Sequence, residues 1–445
     1  MYKRRGIPLS ILLSLFVFLA STVLPARPAF AAERASDIYL PLLTNSEEPD
    51  DDDPGGGDPD WPADRVDFDV KWGDDVTLVD QNQLGLLQEM DLENHIYVFN
   101  AQGVADSGLD LTEGRILVIY NTSLRRISAV YEDGDSLVVE TEYATLTEAI
   151  EDGTLSWDVG VEFDPARIIE ASVSGQSVQP DADGTIEFKI TDGPFTYNLK
   201  MVLQKETATI DFDITKGVAN MASAKLTAQG TVQRFRTRDT IVINGHQLQS
   251  YDQSLDKMKG DLTLGLIMAA SGDNFINLEL PVVLIKYPVV IGMIPVILNI
   301  KVQFVINASV PANGSSQVKA KFTYDSDLGF RYTGSDIESR GRLGLVTFGK
   351  ETNQTGAPGA ISANFGMGFP RVELGIFGET IVPWAQTAFL IGGSYTVFPA
   401  CQTADAQLLG AAGVNLSFLG VSGNLGSKTF FSVKEKLLRA GNCPD

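Results

Sequence analysis

The residues able to do chemistry in this chain are few and scattered. There are two histidines, His95 and His246, and two cysteines, Cys401 and Cys443. A structural zinc site therefore has little to draw on. The nucleophile elbow, the phosphate-binding loop, the dinucleotide fingerprint and the His-Glu-x-x-His helix are all missing from the sequence. No cofactor is implied. Carboxylates are plentiful, and Asp67/Asp69 and Asp211/Asp213 are spaced to share one face of a strand. Two such acids could serve glycoside hydrolysis. In a chain with 57 acidic residues, however, such pairs arise without function and are explained by solvation. Asp181-Ala182-Asp183-Gly184 is half of a calcium loop without its third acidic ligand or closing glutamate. A β-turn accounts for it. Arg234, Arg236 and Arg238 would line one face of a strand end and could hold an anion. With so much negative charge nearby, they are expected to neutralise carboxylates instead. Arg125 and Arg126 are strand neighbours that point to opposite faces, so they form no single clamp.

The elements that must carry these residues are strands. Leu298 to Val310 is the clearest, with Leu298, Ile300, Val302, Phe304, Ile306, Ala308 and Val310 at every second position. At about 3.3 Å per residue it spans roughly 43 Å, which calls for equally long neighbours in a large sheet. Pro311-Ala312-Asn313-Gly314 then reads as a turn, and Gln317 to Tyr324 alternates again, so a long hairpin is expected over Asn299–Tyr324. Strands are also expected over 96–100, 115–120, 124–131, 136–143, 155–163, 185–190, 195–204, 207–215 and 222–236. Asp133-Gly134 and Asn244-Gly245 are turn signals. Thr145 to Glu148 forms a capping box that predicts two helical turns ending near Gly153. A short helix is expected over Gln83–Met90, and a polar loop over Tyr251–Gly260. Beyond Gly341, glycine-rich strands continue to the C-terminus, closing with a strand or short helix over Lys428–Leu438.

Val282 to Leu298 is nearly all apolar. Its length alone would allow a membrane span, but Lys286, Pro288, Gly292 and Pro295 would break a lipid-exposed helix. An apolar loop over Pro288–Pro295 is expected instead. Tyr287, Val289, Val290, Ile291, Met293 and Ile294 are its candidate ligand- or membrane-contacting residues, with burial under a neighbouring element as the plain alternative.

The chain opens with a basic Lys3-Arg4-Arg5, an apolar run over Ile7–Leu24 and a small-x-small Ala29-Phe30-Ala31, the pattern of an export signal over 1–31. Residues 32–64 are crowded with aspartate, proline and glycine and read as a disordered acidic tether. Within it, Ile38 to Leu43 resembles a short segment near the mature N-terminus of some exported bacterial proteins. Net charge is −23, and loss of the signal would remove only basic residues. Such a surface repels nucleic acid. In an exported chain the even pair Cys401 and Cys443 predicts a disulfide that pins the C-terminus. The expected organisation is a small β-rich domain over 65–165 and a large antiparallel β domain, a sandwich or a curved long-stranded sheet, over 166–445.

One resemblance goes further. Leu111-Thr112-Glu113-Gly114-Arg115-Ile116-Leu117-Val118, Leu124-Arg125-Arg126-Ile127 and Thr141 to Ala149 together resemble a small β module of uncharacterised exported and surface proteins of prokaryotes. In that module an acid usually follows the glycine where Arg115 stands, and a glycine stands where Ser123 does. The resemblance covers about 75–165 and implies a small β domain, with no activity attached. The expectation is an exported, non-enzymatic β protein of the cell surface or extracellular space, structural or adhesive. Its partner would be a lipid, a glycan or another envelope component. A lipid or hydrophobic-ligand carrier, touching membrane through 282–324, is the first alternative. A polysaccharide-acting enzyme is the second.

Overall fold

The computed structural model describes residues 63–443 apart from 93, 193–194, 217–221, 271–273, 276–281, 292–293, 311–313, 350–360, 378, 397–399 and 422–423. The expected signal, the tether up to residue 62 and the Ile38–Leu43 segment lie outside the described residues, as does the turn at Pro311–Asn313. The first strands are β1 (Arg65–Trp72), β2 (Val76–Val79), β3 (Leu87–Asp91), β4 (Ile96–Asn100), β5 (Ile116–Ile119), β6 (Ser123–Asp133), β7 (Ser136–Tyr143) and β8 (Ile150–Gly160). Next come β9 (Glu170–Val173), β10 (Gln176–Ser177), β11 (Thr185–Asp192), β12 (Phe195–Gln204), β13 (Thr207–Lys216), β14 (Ala222–Gln233), β15 (Arg236–Asn244) and β16 (Gln247–Ala270). The last are β17 (Asn274–Phe275), β18 (Val283–Ile291), β19 (Ile294–Val310), β20 (Gly314–Tyr332), β21 (Ile337–Ser339), β22 (Arg342–Gly349), β23 (Ile361–Ile376), β24 (Glu379–Thr396), β25 (Cys401–Asn415) and β26 (Asn424–Gly441). The protein is mainly β, as its alternating sequence predicts.

β16 is the spine of an eleven-stranded sheet. Its 24 residues extend about 80 Å at strand geometry. Along one edge it pairs with β15 and then β14; along the other it pairs with β20. The register carries over from β14 to β15 without a shift, since Gln233 faces Lys259 and Thr237 faces Leu255. β14 and β15 are therefore one arm of a long hairpin, interrupted where Arg234 takes a left-handed φ of 66°. At that interruption the sheet forks. β14 leads to β13, β12 and β11, while β15 leads to β8 and β1. Asn244-Gly245 closes the hairpin with Gly245 at φ 56°, a conformation that favours glycine. Asp133-Gly134 does the same between β6 and β7.

A nine-stranded sheet runs β10-β9-β18-β19-β23-β24-β25-β26, with β17 added at β19. It packs on the eleven-stranded sheet through one continuous apolar core. Phe212 of β13 stacks on Phe304 of β19, with ring centroids 3.8 Å apart. Phe322 of β20 meets Phe389 of β24 edge-on at 5.3 Å. The third sheet has six strands over Val76–Tyr143 and a second core, built from Tyr97, Phe99, Leu117, Ile127 and Val139 with Val104 of the helix Ala101–Ser107. Asn100 caps that helix, accepting from the Gly103 amide at 2.7 Å. β1 and β8, expected within the small domain, instead extend the eleven-stranded sheet.

Several elements differ from expectation. Gln83–Met90 is a single 3-10 turn, Leu84–Leu86, followed by β3. The capping box at Thr145 is present, but the helix is one turn, Leu146–Ala149. β8 takes over at Ile150 because Leu155 and Trp157 bury in the main core. Tyr251–Gly260 is part of β16, not a loop: Tyr251, Gln253 and Leu255 face inward while Asp252 and Asp256 form ion pairs outside. Pro288–Pro295 is not an apolar loop either. Pro288 lies in β18 opposite Ile297, and Pro295 lies in β19 opposite Val290.

The long hairpin over Asn299–Tyr324 does not form. β19 pairs with β18 and β23; β20 pairs with β16 and β22, in the other sheet. A hairpin would have placed both apolar faces on one side of one sheet. Divided between two sheets, the same faces meet partners across the core: Phe304 finds Phe212, and Phe322 and Tyr324 find Phe389.

Candidate functional site

The densest polar chemistry sits on β8, β15, β16 and β20, on both faces of the same patch of sheet. Inward, Trp157, Asp239, Gln253 and Phe330 occupy consecutive positions of one rung across the four strands. All four are buried, and Asp239 is 0% exposed. Its carboxyl accepts from the Thr237 hydroxyl at 2.5 Å and from the Tyr251 phenol at 2.9 Å. The Trp157 indole N–H is turned to the same carboxyl but falls short of hydrogen-bonding geometry. Burial pushes the Asp239 carboxyl up to about 7, against the pull of these donors, and the nearby Asp252 adds to the rise. Tyr251 is also pushed up, first by burial and then by Asp239.

Outward, the same strands form a shallow basin of about 280 Å³. Arg238 and Thr240 of β15, Asp252 and Asp256 of β16, Asp327 of β20 and Arg340 line it. Alternation along each strand sends these residues out while Asp239 and Gln253 go in. A bulge between Leu255 and Met258, with Lys257 at φ 55°, shifts the register and lets the Lys257 amide reach Asp327 at 2.9 Å. Arg238 bridges Asp158 and Asp256, each at 2.9 Å. Asp252 receives both Arg331 and Arg340 at 3.1 Å. Arg342 reaches Asp327 at 3.1 Å. Each acid is thus held by a guanidinium. The basin offers fixed hydrogen-bond donors and acceptors of both signs, which suits a polar, hydroxylated ligand better than an apolar one.

Arg236 and Arg238 neutralise carboxylates, as the acidity of the chain predicts. Arg236 is buried, donates to Asp158 at 2.5 Å and reaches Asp64 and the Ala63 carbonyl at 3.3 Å. Arg234 lies at the fork, its amide donating to the Glu206 carbonyl at 3.0 Å. Asp181–Gly184 is a turn, with the Gly184 amide on the Asp181 carbonyl at 2.9 Å and Asp183 accepting from the Thr185 amide. Asp211 and Asp213 share a face, accepting from Gln229 and Asn198 respectively. Asp67 and Asp69 lie on β1 with their side chains exposed. Arg126 reaches Glu148 at 2.7 Å and the Gly114 carbonyl, while Arg125 is buried on the other face. His95 and His246 sit at different turns, each with positive φ, and a ring nitrogen of His246 meets the Thr147 carbonyl at 3.1 Å.

Of the six candidate contact residues, Tyr287, Val289 and Ile294 are buried in the main core, which corrects their expected placement on an apolar tip. The Tyr287 phenol donates to the Glu162 carbonyl at 2.6 Å. Val290 and Ile291 belong to β18; Met293 lies outside the described residues. Cys401 and Cys443 form the expected disulfide, tying the end of the chain to the start of β25.

Sequence reasoning missed Asp239, Thr237, Tyr251 and Gln253. The signal was available in part: Thr237, Asp239, Ile241 and Ile243 alternate with Arg238, Thr240 and Val242, and that period sets Asp239 on the apolar face. Among the described residues, no cluster of three metal-ligating side chains occurs, and no helix is long and apolar enough to cross a membrane. No protein family, curated protein or solved structure matches the chain.

Proposed function

We propose that this is an exported, non-catalytic β protein of the cell surface or extracellular space, which binds a hydroxylated, glycan-like envelope component through the charged outer basin of β15, β16 and β20. The observation that carries the reading is the way each acid of that basin is engaged. Asp252, Asp256 and Asp327 are committed to Arg340, Arg238 and Arg342, which suits fixed recognition more than proton transfer. The export pattern at the N-terminus, the acidic tether and the resemblance of the small sheet to modules of surface proteins support the location. The closed core weighs against a hydrophobic-ligand carrier. Where a carrier would open a groove, Phe212 and Phe304 are stacked and Phe322 packs on Phe389.

The test is binding of the purified chain to a panel of envelope polysaccharides, followed by analysis of the glycans for cleavage. Binding without cleavage, weakened at least tenfold by Asp256→Asn combined with Arg340→Gln, supports the proposal. Turnover of any glycan would replace it with an enzyme. Lipid released from the natively purified protein, with no glycan bound, would replace it with a carrier.

A further inference from the structure

We infer that Asp239 is held as a neutral carboxylic acid that donates its proton across β15 and β16 to the side-chain oxygen of Gln253, making this end of the sandwich a pH-sensitive element of the fold.

Gln253 and Asp239 form an unmatched pair. Gln253 is 2% exposed, and its Oε1 has no hydrogen-bond partner among the described residues. A buried acceptor left empty is costly, on the order of 1–3 kcal/mol, and is rarely tolerated without a reason. Directly opposite Gln253 in the β15–β16 register is Asp239. Directly opposed side chains lie within reach of one another. Against that Oε1 atom, an ionised Asp239 offers only another acceptor. A protonated Asp239 supplies the missing donor, and both its oxygens keep a lone pair to accept with, Oδ1 from the Tyr251 phenol and Oδ2 from the Thr237 hydroxyl. One proton therefore satisfies both groups.

The surroundings favour the neutral form. The ionisable groups whose influence reaches Asp239 are Tyr251, on the same face of β16, and Asp252, whose side chain lies on the outer face. Neither supplies positive charge. On its own strand, Arg236 is committed to Asp158, Asp64 and Ala63, and Arg238 to Asp158 and Asp256. On β8 the inward neighbour is Trp157, and on β20 it is Phe330. The described buried side chains of β24 and β25 in the facing sheet, such as Ala385, Thr387, Phe389, Ala404 and Leu408, carry no charge. An isolated carboxylate in such a place stays protonated until the pH is high enough to force it.

The consequence follows by linkage. The unfolded chain loses this proton in the ordinary carboxylate range, while the folded chain keeps it to near neutrality. Between those limits the folded state binds the extra proton, so stability falls as pH rises and levels off once the folded group has ionised.

Two measurements test this. The folding equilibrium, read by denaturant unfolding, should be about tenfold less favourable at pH 8 than at pH 6. In Asp239→Asn, whose amide still donates to Gln253, that difference should vanish. Infrared difference spectra of the wild type should show a protonated-carboxyl band at pH 6 that bleaches by pH 8 and is missing from Asp239→Asn. Identical pH profiles for wild type and variant would overturn the inference. So would a carboxyl that is ionised throughout. Should Asp239→Asn not fold, the infrared band of the wild type decides alone, by its presence or absence at pH 6.

Discussion

Around Phe212 the two large sheets meet through hydrocarbon alone. Around Asp239 they enclose a carboxyl, a phenol, an amide and a hydroxyl. In the first region Phe212 lies on Phe304, which lies in turn beside Phe365, and Ile210, Ile214 and Leu226 complete the inward faces of β13 and β14. In the second, Trp157, Thr237, Asp239, Tyr251 and Gln253 occupy equivalent inward positions on β8, β15 and β16. Both regions use the same backbone pattern and share the spine β16. The difference lies in what burial returns. Each buried phenylalanine removes apolar area from water at no polar cost, at roughly 25 cal/mol per Å². Each buried polar group only breaks even if every lone pair and proton finds a partner. The dry region holds the sheets together, while the polar region constrains which residues can face one another.

Emptying the dry region should have the largest effect. Phe212→Ala should destabilise by about 3–5 kcal/mol, because it removes a fully buried ring and leaves Phe304 facing a cavity. Denaturant unfolding measures it. A loss below about 1 kcal/mol would mean that the sheets close poorly here and that the stacking contributes little.

Arg236→Met probes the polar region from its edge. The guanidinium is nearly inaccessible and holds Asp158, Asp64 and the Ala63 carbonyl where the chain enters β1. Asp158 keeps Arg238 as a second partner, so the expected loss is about 2–3 kcal/mol rather than the full cost of stranding a buried charge. Equilibrium unfolding gives the number. Limited proteolysis near Ala63 reports whether the N-terminal junction loosens with it.

How much of this was legible beforehand depends on the scale of the pattern. Alternation over Leu298–Val310 or Phe195–Gln204 specifies a strand and its buried face, because period 2 is a local property of the backbone. The turns at Asp133-Gly134 and Asn244-Gly245 and the cap at Thr145 were legible for the same reason. Pairing is not local. Nothing in Pro311–Gly314 tells β20 to leave β19 for β16, since that choice is made by the apolar faces of strands far off in sequence. Tyr251–Gly260 misled because a strand with ion pairs on one face and Tyr251 and Gln253 on the other looks uniformly polar in one dimension. The basin was hidden with it. Arg238 and Asp252 come together only when β15 and β16 pair. The disulfide was legible because there were only two cysteines to join.

The smallest effects decide how dry the seam between β20 and β24 is. Tyr324 and Thr387 are buried on the facing strands β20 and β24, and neither hydroxyl has a hydrogen-bond partner among the described residues. Burial alone pushes the Tyr324 phenol well above its usual range. If these hydroxyls face only carbon, each substitution removes an unmet desolvation cost. Tyr324→Phe and Thr387→Val should then each stabilise by up to about 1 kcal/mol, since the replacements keep the shape. If instead an internal water bridges them, the same substitutions should cost a similar amount, because the water loses its partners. Thermal unfolding of the two single variants and the double distinguishes the cases. Additive gains mean two separate orphans in a dry seam. Losses that fail to add mean one shared water in the seam between β20 and β24.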